Sequence, residues 1–153
     1  MNVVLVEPEI HWNTGNIGRT CVATRTALHL IKPLGYRIDA KEIRRSGLDY
    51  WPKLNLTVHD SFAAFEAFLP QDASLLLFST HAKTSFWDAP YREDSYLLFG
   101  KESEGFSKDI RERYDGRFYR VPVSGDVRSL NLSSCAAVCL FEGLRRVDLR
   151  ATL

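Results

Sequence analysis

Cysteine is scarce in this 153-residue chain, which holds only Cys21, Cys135 and Cys139. An odd set without a Cys-x-x-Cys spacing gives neither a disulfide framework nor a thiolate zinc site. Cys135 and Cys139 lie one helical turn apart in an apolar run, where small buried thiols are expected. The four histidines, His11, His29, His59 and His81, share no ligand spacing, so no metal is expected. No apolar run approaches the ~18 residues that a membrane span needs. The opening MNVVLVEPEI has neither the basic start nor the apolar length of a signal peptide. A soluble protein in a reducing, cytoplasmic setting, with no membrane partner, is the expectation. Excess charge of one sign is missing as well: Lys plus Arg is 20 and Asp plus Glu is 19, a net charge of +1. That balance removes the simplest argument for a nucleic-acid partner, a strongly basic overall field. Repeats, low-complexity tracts and interdomain linkers are also absent.

What is present is enough for a core, with 45% hydrophobic residues. The length fits a single domain over 1–153. Arginine dominates the basic residues, 14 against 6 lysines, and its planar fork suits phosphate and carboxylate. Short apolar runs alternate with longer helix-like stretches. Strands are expected over 2–6, 28–31, 54–58, 75–79, 96–99 and 117–121. Helices are expected over 14–28, 39–45, 61–69 (capped by Asp60 or Ser61), 107–114 and 129–144, and a turn at Pro33-Leu34-Gly35. This alternation argues for an α/β domain with a mainly parallel sheet flanked by helices. The closing helix carries two apolar stripes, Leu132, Cys135, Ala136, Cys139, Leu140 and Gly143, then Ala137, Val138, Phe141 and Leu144. A helix apolar nearly all round must be covered on both sides. A two-fold partner subunit is the natural second cover, and a place sandwiched within the monomer is the alternative.

Three segments between a strand end and a helix start carry candidate chemistry. Asn13-Thr14-Gly15-Asn16-Ile17-Gly18-Arg19 places amide side chains at a helix N-terminus, whose unpaired N–H groups suit a phosphodiester. It is neither a Walker loop nor a Gly-x-Gly-x-x-Gly turn. Gly100-Lys101-Glu102-Ser103-Glu104-Gly105-Phe106 follows a buried strand. Its glycines allow a sharp turn or close approach to a flat ligand, and its carboxylates could accept from a base or ribose. Val121 to Ser133 runs from a strand through a polar loop into the last helix. Ser129 is a candidate cap there, and Asn131 and Ser133 sit in the first turn. Three such loops at strand carboxyl ends point to one shared crevice.

These segments resemble, in order, the three motifs of the SpoU-type SPOUT RNA 2′-O-methyltransferases: N-x-G-N-x-x-R, G-x-E-x-x-G, and a Pro-containing strand leading into S-L/M-N-L-S. The opening Val4-Leu5-Val6-Glu7-Pro8-Glu9-Ile10 and the stretch Arg44-Arg45-Ser46-Gly47-Leu48-Asp49-Tyr50 look more narrowly like the small tRNA (cytidine/uridine-34)-2′-O-methyltransferases, the TrmL or YibK-like branch. The resemblance covers essentially the whole chain. It implies a C-terminal trefoil knot, S-adenosyl-L-methionine as methyl donor, tRNA (a leucine tRNA foremost) as substrate, no metal, and a homodimer through the C-terminal helix. It places the donor against Phe78, Thr80, Gly100, Glu102, Gly105, Val121, Ser129 and Leu130. Arg19 would meet the reacting hydroxyl or its phosphate, with Asn13, Asn16, Asn131 and Ser133 positioning it.

Several residues depart from the family's pattern. His11-Trp12 stands where relatives often have two prolines, Arg25 where glycine is common, Trp51 where histidine is common, and Phe141 where some have tyrosine. Substrate contacts are expected from Arg44 and Arg45, from Arg111, Arg113, Arg117 and Arg120, and from Arg145, Arg146 and Arg150. His11, Trp12 or Trp51 could offer rings on which unstacked bases lie. A 2′-O-methyltransferase for another tRNA or ribosomal position, and a non-catalytic knotted RNA-binding module, are the alternatives.

Overall fold

The computed structural model describes residues 1–37 and 50–148. The helix expected over 39–45, with Arg44 and Arg45, lies outside the described residues, as does Arg150.

The shortest apolar runs form the centre of the fold. β1 (Asn2–Val6), β2 (Ala27–Ile31), β3 (Leu56–His59), β4 (Leu75–Phe78), β5 (Thr84–Ser85), β6 (Tyr96–Phe99) and β7 (Phe118–Arg120) make one sheet in the order β3-β2-β1-β6-β4-β7-β5. Every pairing in it is parallel. All four residues of β4 and of β6 are buried, as the unbroken runs Leu75-Leu76-Leu77-Phe78 and Tyr96-Leu97-Leu98-Phe99 require for strands covered on both faces.

Alternation along β1 divides the core into two layers. Val3 and Leu5 pack with Ile17 and Cys21 of α1 (His11–Ala23) and with Ala136, Cys139 and Leu140 of the closing helix. Val4 and Val6 face the other way, onto Phe65 of α2 (Phe62–Phe68) and Ile110 of α3 (Lys108–Arg113). The closing helix, α4 (Leu132–Arg146), thus shares a layer with α1. The result is helices, sheet, helices, the class that the alternation of elements implied.

Local chemistry sets the helix ends. Ser61 Oγ accepts from the Ala64 amide and Ser107 Oγ from the Ile110 amide, so the hydroxyls serve as N-caps. Several boundaries differ from the sequence reading, two of them for a clear local reason. α1 ends at Ala23 rather than near 28, because Arg25 turns into the left-handed region at φ 52° and β2 begins at Ala27. α4 begins at Leu132 rather than 129, and its cap is Asn131, not Ser129. β5 and the short 3-10 turn Phe86–Asp88 had no periodic signal at all.

β1 leads into α1 on one face of the sheet, and β6, its neighbour, leads into α3 on the other. α1 and α3 therefore lie on opposite faces, and the crevice above the carboxyl ends of β1 and β6 is the place where parallel α/β sheets bind ligands. The loops after β4 and β7 border it, since β6-β4-β7 are adjacent.

α4 shows one face to the core and the other outward. Ala136, Cys139, Leu140, Gly143 and Leu144 are buried, whereas Val138 and Phe141 are 41% and 52% exposed. The three thiols are free, and burial pushes Cys21 up to about 12 and Cys139 well above its ordinary value. Among the described residues no helix is long and apolar enough to cross a membrane.

Candidate active site

α1 starts at His11, three residues earlier than its sequence pattern implies, and its N-cap residue Ile10 offers no side-chain acceptor. The acceptor comes from the loop after β6. Glu102 takes the Glu9 amide on Oε2 at 2.8 Å, and the Ile10 amide and the Asn13 side-chain amide on Oε1 at 3.3 and 3.0 Å. A carboxylate here satisfies orphan donors and lies at the positive end of the helix dipole. Glu102 was expected at the methyl donor; both its carboxylate oxygens are instead engaged by the chain itself.

From Glu102 a directed chain of hydrogen bonds crosses the crevice. Asn13 is buried, and its Oδ1 accepts from Asn131 Nδ2 at 3.0 Å. Asn131 Oδ1 in turn accepts from the backbone N–H of Ser133 at 2.9 Å and from its hydroxyl at 2.7 Å. The loops after β1, β6 and β7 are thereby joined through Asn13, Glu102 and Asn131. The polarity of the chain is fixed at both ends. A backbone N–H can only donate, and an ionised carboxylate can only accept.

Two further contacts bolt the loop after β6 to the loop after β1. Lys101 pairs with Glu7 at 2.7 Å, which raises the lysine's pKa. Glu9 accepts from the Ser103 amide at 2.9 Å and hydroxyl at 2.8 Å, bonds that hold its carboxyl below the ordinary range. The loop itself closes tightly, with Lys101 and Gly105 exchanging backbone hydrogen bonds of 3.1 and 3.0 Å. Gly105 has φ 70°, and a Cβ on Gly100 would lie 2.4 Å from the Gly105 carbonyl carbon. Both positions need glycine, the first for its dihedral and the second for space. On the other flank Thr14 bonds the Tyr36 hydroxyl at 2.6 Å, and burial pushes that phenol up to about 12.

Asn16 and Arg19 point outward from α1, as does Trp12, which is 63% exposed. Spacings of four and three residues put all three side chains on one helix face beside the crevice. Arg19 is not loose there, because its guanidinium carbon sits 4.8 Å from the centre of the Tyr50 ring. Of the rings expected to serve bases, Trp12 lies tilted against His11, 4.4 Å between centroids and 38° between planes. Trp51 instead packs on α1, within 3.1 Å of where a Cβ on Gly18 would lie.

The residues expected at the methyl donor fall around the crevice. Phe78 ends β4, buried and stacked on Phe99 at 5.1 Å, and Thr80 follows it, exposed. Gly100 and Gly105 close the second loop. Val121 is half-buried after β7, while Ser129 and Leu130 lie exposed just before α4. Residues 121–131 form neither helix nor strand, so their backbone donors and acceptors are not committed to a ladder. That mixture of free amides, carbonyls and apolar side chains fits the nucleoside and amino-acid ends of S-adenosylmethionine. Of the expected RNA-binding arginines, two are engaged elsewhere. Arg113 makes a bidentate pair with Glu66 and a second with Asp109, and Arg145 pairs with Glu142. No group of three His, Cys, Asp or Glu side chains that could hold a metal occurs among the described residues.

Sequence reasoning missed Tyr50, Glu9, Ser103 and Tyr36. The first three lie in stretches already singled out, 44–50, 4–10 and 100–106, whereas nothing local marks Tyr36.

Comparison with known proteins agrees with this geometry. Residues 1–141 match the SpoU rRNA Methylase family. The tRNA (cytidine(34)-2′-O)-methyltransferase of Burkholderia ambifaria is 41% identical over 149 residues, covering 95% of this chain and 94% of that protein. A solved structure described as "Structural insights into the 2-OH methylation of C/U34 on tRNA" superposes with a TM-score of 0.90 at 42% identity, covering 97% of each chain. At 22% identity the fold alone persists in the SpoU methyltransferase AviRb of Streptomyces viridochromogenes, solved with AdoMet. There the TM-score is 0.82, over 95% of this chain and 57% of that one. With the three loops converging on one crevice and the match running almost from end to end, this chain belongs to the SpoU methylase family.

Proposed function

We propose that this protein is an enzyme that transfers the methyl group of S-adenosyl-L-methionine to the ribose 2′-hydroxyl of nucleotide 34, a cytidine or uridine, in tRNA. The observation that carries the reading is the hydrogen-bond chain Glu102–Asn13–Asn131–Ser133, which unites the three family motifs, the first of which contains Arg19. Relatives similar over nearly their whole length and named for this reaction support the substrate.

S-adenosylmethionine, when bound, supplies an electrophilic methyl on a sulfonium. Phe78, Thr80, Gly100, Gly105, Val121, Ser129 and Leu130 are the residues that would hold it, with Glu102 securing the loop. Transfer would join the ribose oxygen to the methyl carbon as the sulfur–methyl bond breaks, with the hydroxyl proton passing to water. Electrons of the broken bond return to sulfur, which becomes a neutral thioether. A ribose hydroxyl is a weak nucleophile, so the protein must align it and stabilise the charge growing on its oxygen. Arg19 does the second: its guanidinium donates to the oxygen or to the adjacent phosphate. Asn13, Asn131 and Ser133 hold the crevice's edge in register. Asn16 and Trp12, on the same face as Arg19, meet the sugar-phosphate and an unstacked base, and the charges of Arg44 and Arg45 are available for RNA phosphates.

The outward side of α4, with Val138 and Phe141, supports a homodimer through this helix. The family supports a trefoil knot formed by the second and third loops. One sheet covered on both faces supports a single methyltransferase domain over 1–153, and a tRNA substrate supports a cytoplasmic setting.

Labelled S-adenosylmethionine incubated with total tRNA, followed by nucleoside mapping, tests the reading. Label is expected in a 2′-O-methylated cytidine or uridine at position 34 and absent with Arg19→Ala. Methylation that survives this substitution would overturn the role of Arg19. Label in no RNA at all would overturn the enzyme.

A further inference from the structure

Arg19 projects from α1, yet arginine is among the side chains with most rotamer freedom to lose on being held in one place. Two contacts from a single residue hold it. The Tyr50 ring lies 4.8 Å from the guanidinium carbon, and the Tyr50 hydroxyl donates to the Gly15 carbonyl oxygen at 2.6 Å. In an α-helix the carbonyl of residue 15 is also the acceptor for the backbone N–H of residue 19. Tyr50 thus grips both ends of the arginine, its side chain through the ring and its helical turn through the hydroxyl. The next residue, Trp51, packs over Gly18, where a Cβ would come within 3.1 Å of the indole. Gly18 therefore provides the seat in which the Tyr50–Trp51 segment rests on α1.

We propose that Tyr50 is a positioning residue for methyl transfer, which holds the Arg19 guanidinium by a cation–π contact so that its N–H edge faces the reacting ribose. The proposal rests on the role given to Arg19 above. Stacking occupies a face of the guanidinium and leaves its donors in the plane free, the arrangement a phosphate or oxyanion needs. The ring does not touch substrate and carries no proton in the reaction; it acts only through Arg19.

The test uses the full chain with tRNA and S-adenosylmethionine, comparing Tyr50→Phe, Tyr50→Leu, Arg19→Lys and the Tyr50→Leu/Arg19→Lys pair. Tyr50→Leu is expected to lower kcat by roughly 5- to 30-fold, the range a lost cation–π contact implies. KM for the methyl donor should not change. Tyr50→Phe keeps the ring and is expected to rescue kcat to within about threefold of the parent. In the Arg19→Lys background, Tyr50→Leu should cost less than about threefold, because coupled residues are not additive. Unchanged kcat in Tyr50→Leu, a Phe variant as impaired as Leu, or an undiminished effect in the Arg19→Lys background each overturns the proposal. Should Tyr50→Leu fail to fold, side-chain NMR of the unaltered protein decides. Ring-current shifts of the Arg19 δ-protons that persist in Tyr50→Phe support the contact, and their absence overturns it. Activity in Arg19→Ala would sink the role of Arg19 itself, a separate result from kcat insensitive to Tyr50 in a protein that needs Arg19.

Discussion

Replacing Glu102 by glutamine changes only one oxygen into an NH2 group, yet the geometry predicts a clear loss. The carboxylate accepts from Glu9 N on one oxygen and from Ile10 N and Asn13 Nδ2 on the other. A glutamine must turn its NH2 toward one of these two sets, and every member of both is a donor. If the NH2 faces Asn13, that amide can flip to accept, which presents its own NH2 to the NH2 of Asn131. Asn131 can flip in turn, but its NH2 then meets the Ser133 backbone N–H, which has no alternative. The mismatch can be moved along the chain and not removed. One unsatisfied donor costs about 1–3 kcal/mol, and the loss of a charged acceptor at the α1 N-terminus adds roughly 0.3–1 kcal/mol. The Glu9 and Ile10 bonds are exposed to solvent, which favours the lower end, about 1–2 kcal/mol in all. Urea unfolding should show a lower midpoint with an unchanged m-value. If the same energy is lost from the transition state, methyl transfer falls by about 5- to 30-fold, at 1.36 kcal/mol per tenfold. Glu102→Gln within about 0.5 kcal/mol of the parent, and equally active, would refute the idea that this chain of bonds organises the crevice.

Three other substitutions probe separate parts of the molecule. His29 and His59 form a buried pair, Nδ1 to Nε2 at 3.0 Å, walled by Phe65 and Phe68; burial and the second ring press His29 down to about 4. The unfolded chain therefore takes up this proton first as pH falls. Stability should be complete above about pH 6.5 and decline toward pH 4 by up to about 3 kcal/mol. His29→Phe should flatten that slope in denaturant titrations, and a slope equally steep in the variant would count against the pair. Arg25 holds a left-handed φ of 52°, so Arg25→Gly should raise stability by about 0.5–1 kcal/mol, the strain relieved less the added chain entropy. A lower denaturation midpoint would show that the arginine side chain matters more than its backbone. Phe141→Asp places a charge on the exposed apolar side of α4 and should convert a dimer to monomer in sedimentation, while unchanged sedimentation would remove α4 from the interface.

β1 and β6 were readable to the residue, since a run of four or five apolar residues bounded by polar ones has few other uses. The N-terminus of α1 was not readable. The group that caps it, Glu102, is about 90 positions away, and no local pattern reports a partner at that distance. The end of α1 was not legible either, because it rests on a left-handed residue, Arg25, that is not glycine. At the crevice the residue types were legible, because Asn13, Asn131 and Ser133 belong to motifs with fixed spacing. Their order in the hydrogen-bond chain was not, and neither was the use of the Glu102 carboxylate to tie two loops together. Nor does a basic stretch report its distant ion pairs: Arg113 reaches Glu66, 47 positions away.

β6 lies in the middle of the sheet but arrives late in the chain, pairing with β1 at residues more than ninety positions away and with β4 on its other side. Until residues 96–99 are added, β1 and β4 each present an unpaired edge, and no short-range pairing can close the gap. Assembly must therefore wait for a strand that slots between two waiting edges, with α4 following it. Contacts of such long sequence separation slow folding. A nascent chain that ends before residue 96 leaves β1 and β4 with open edges, which a chaperone or a second nascent chain could engage.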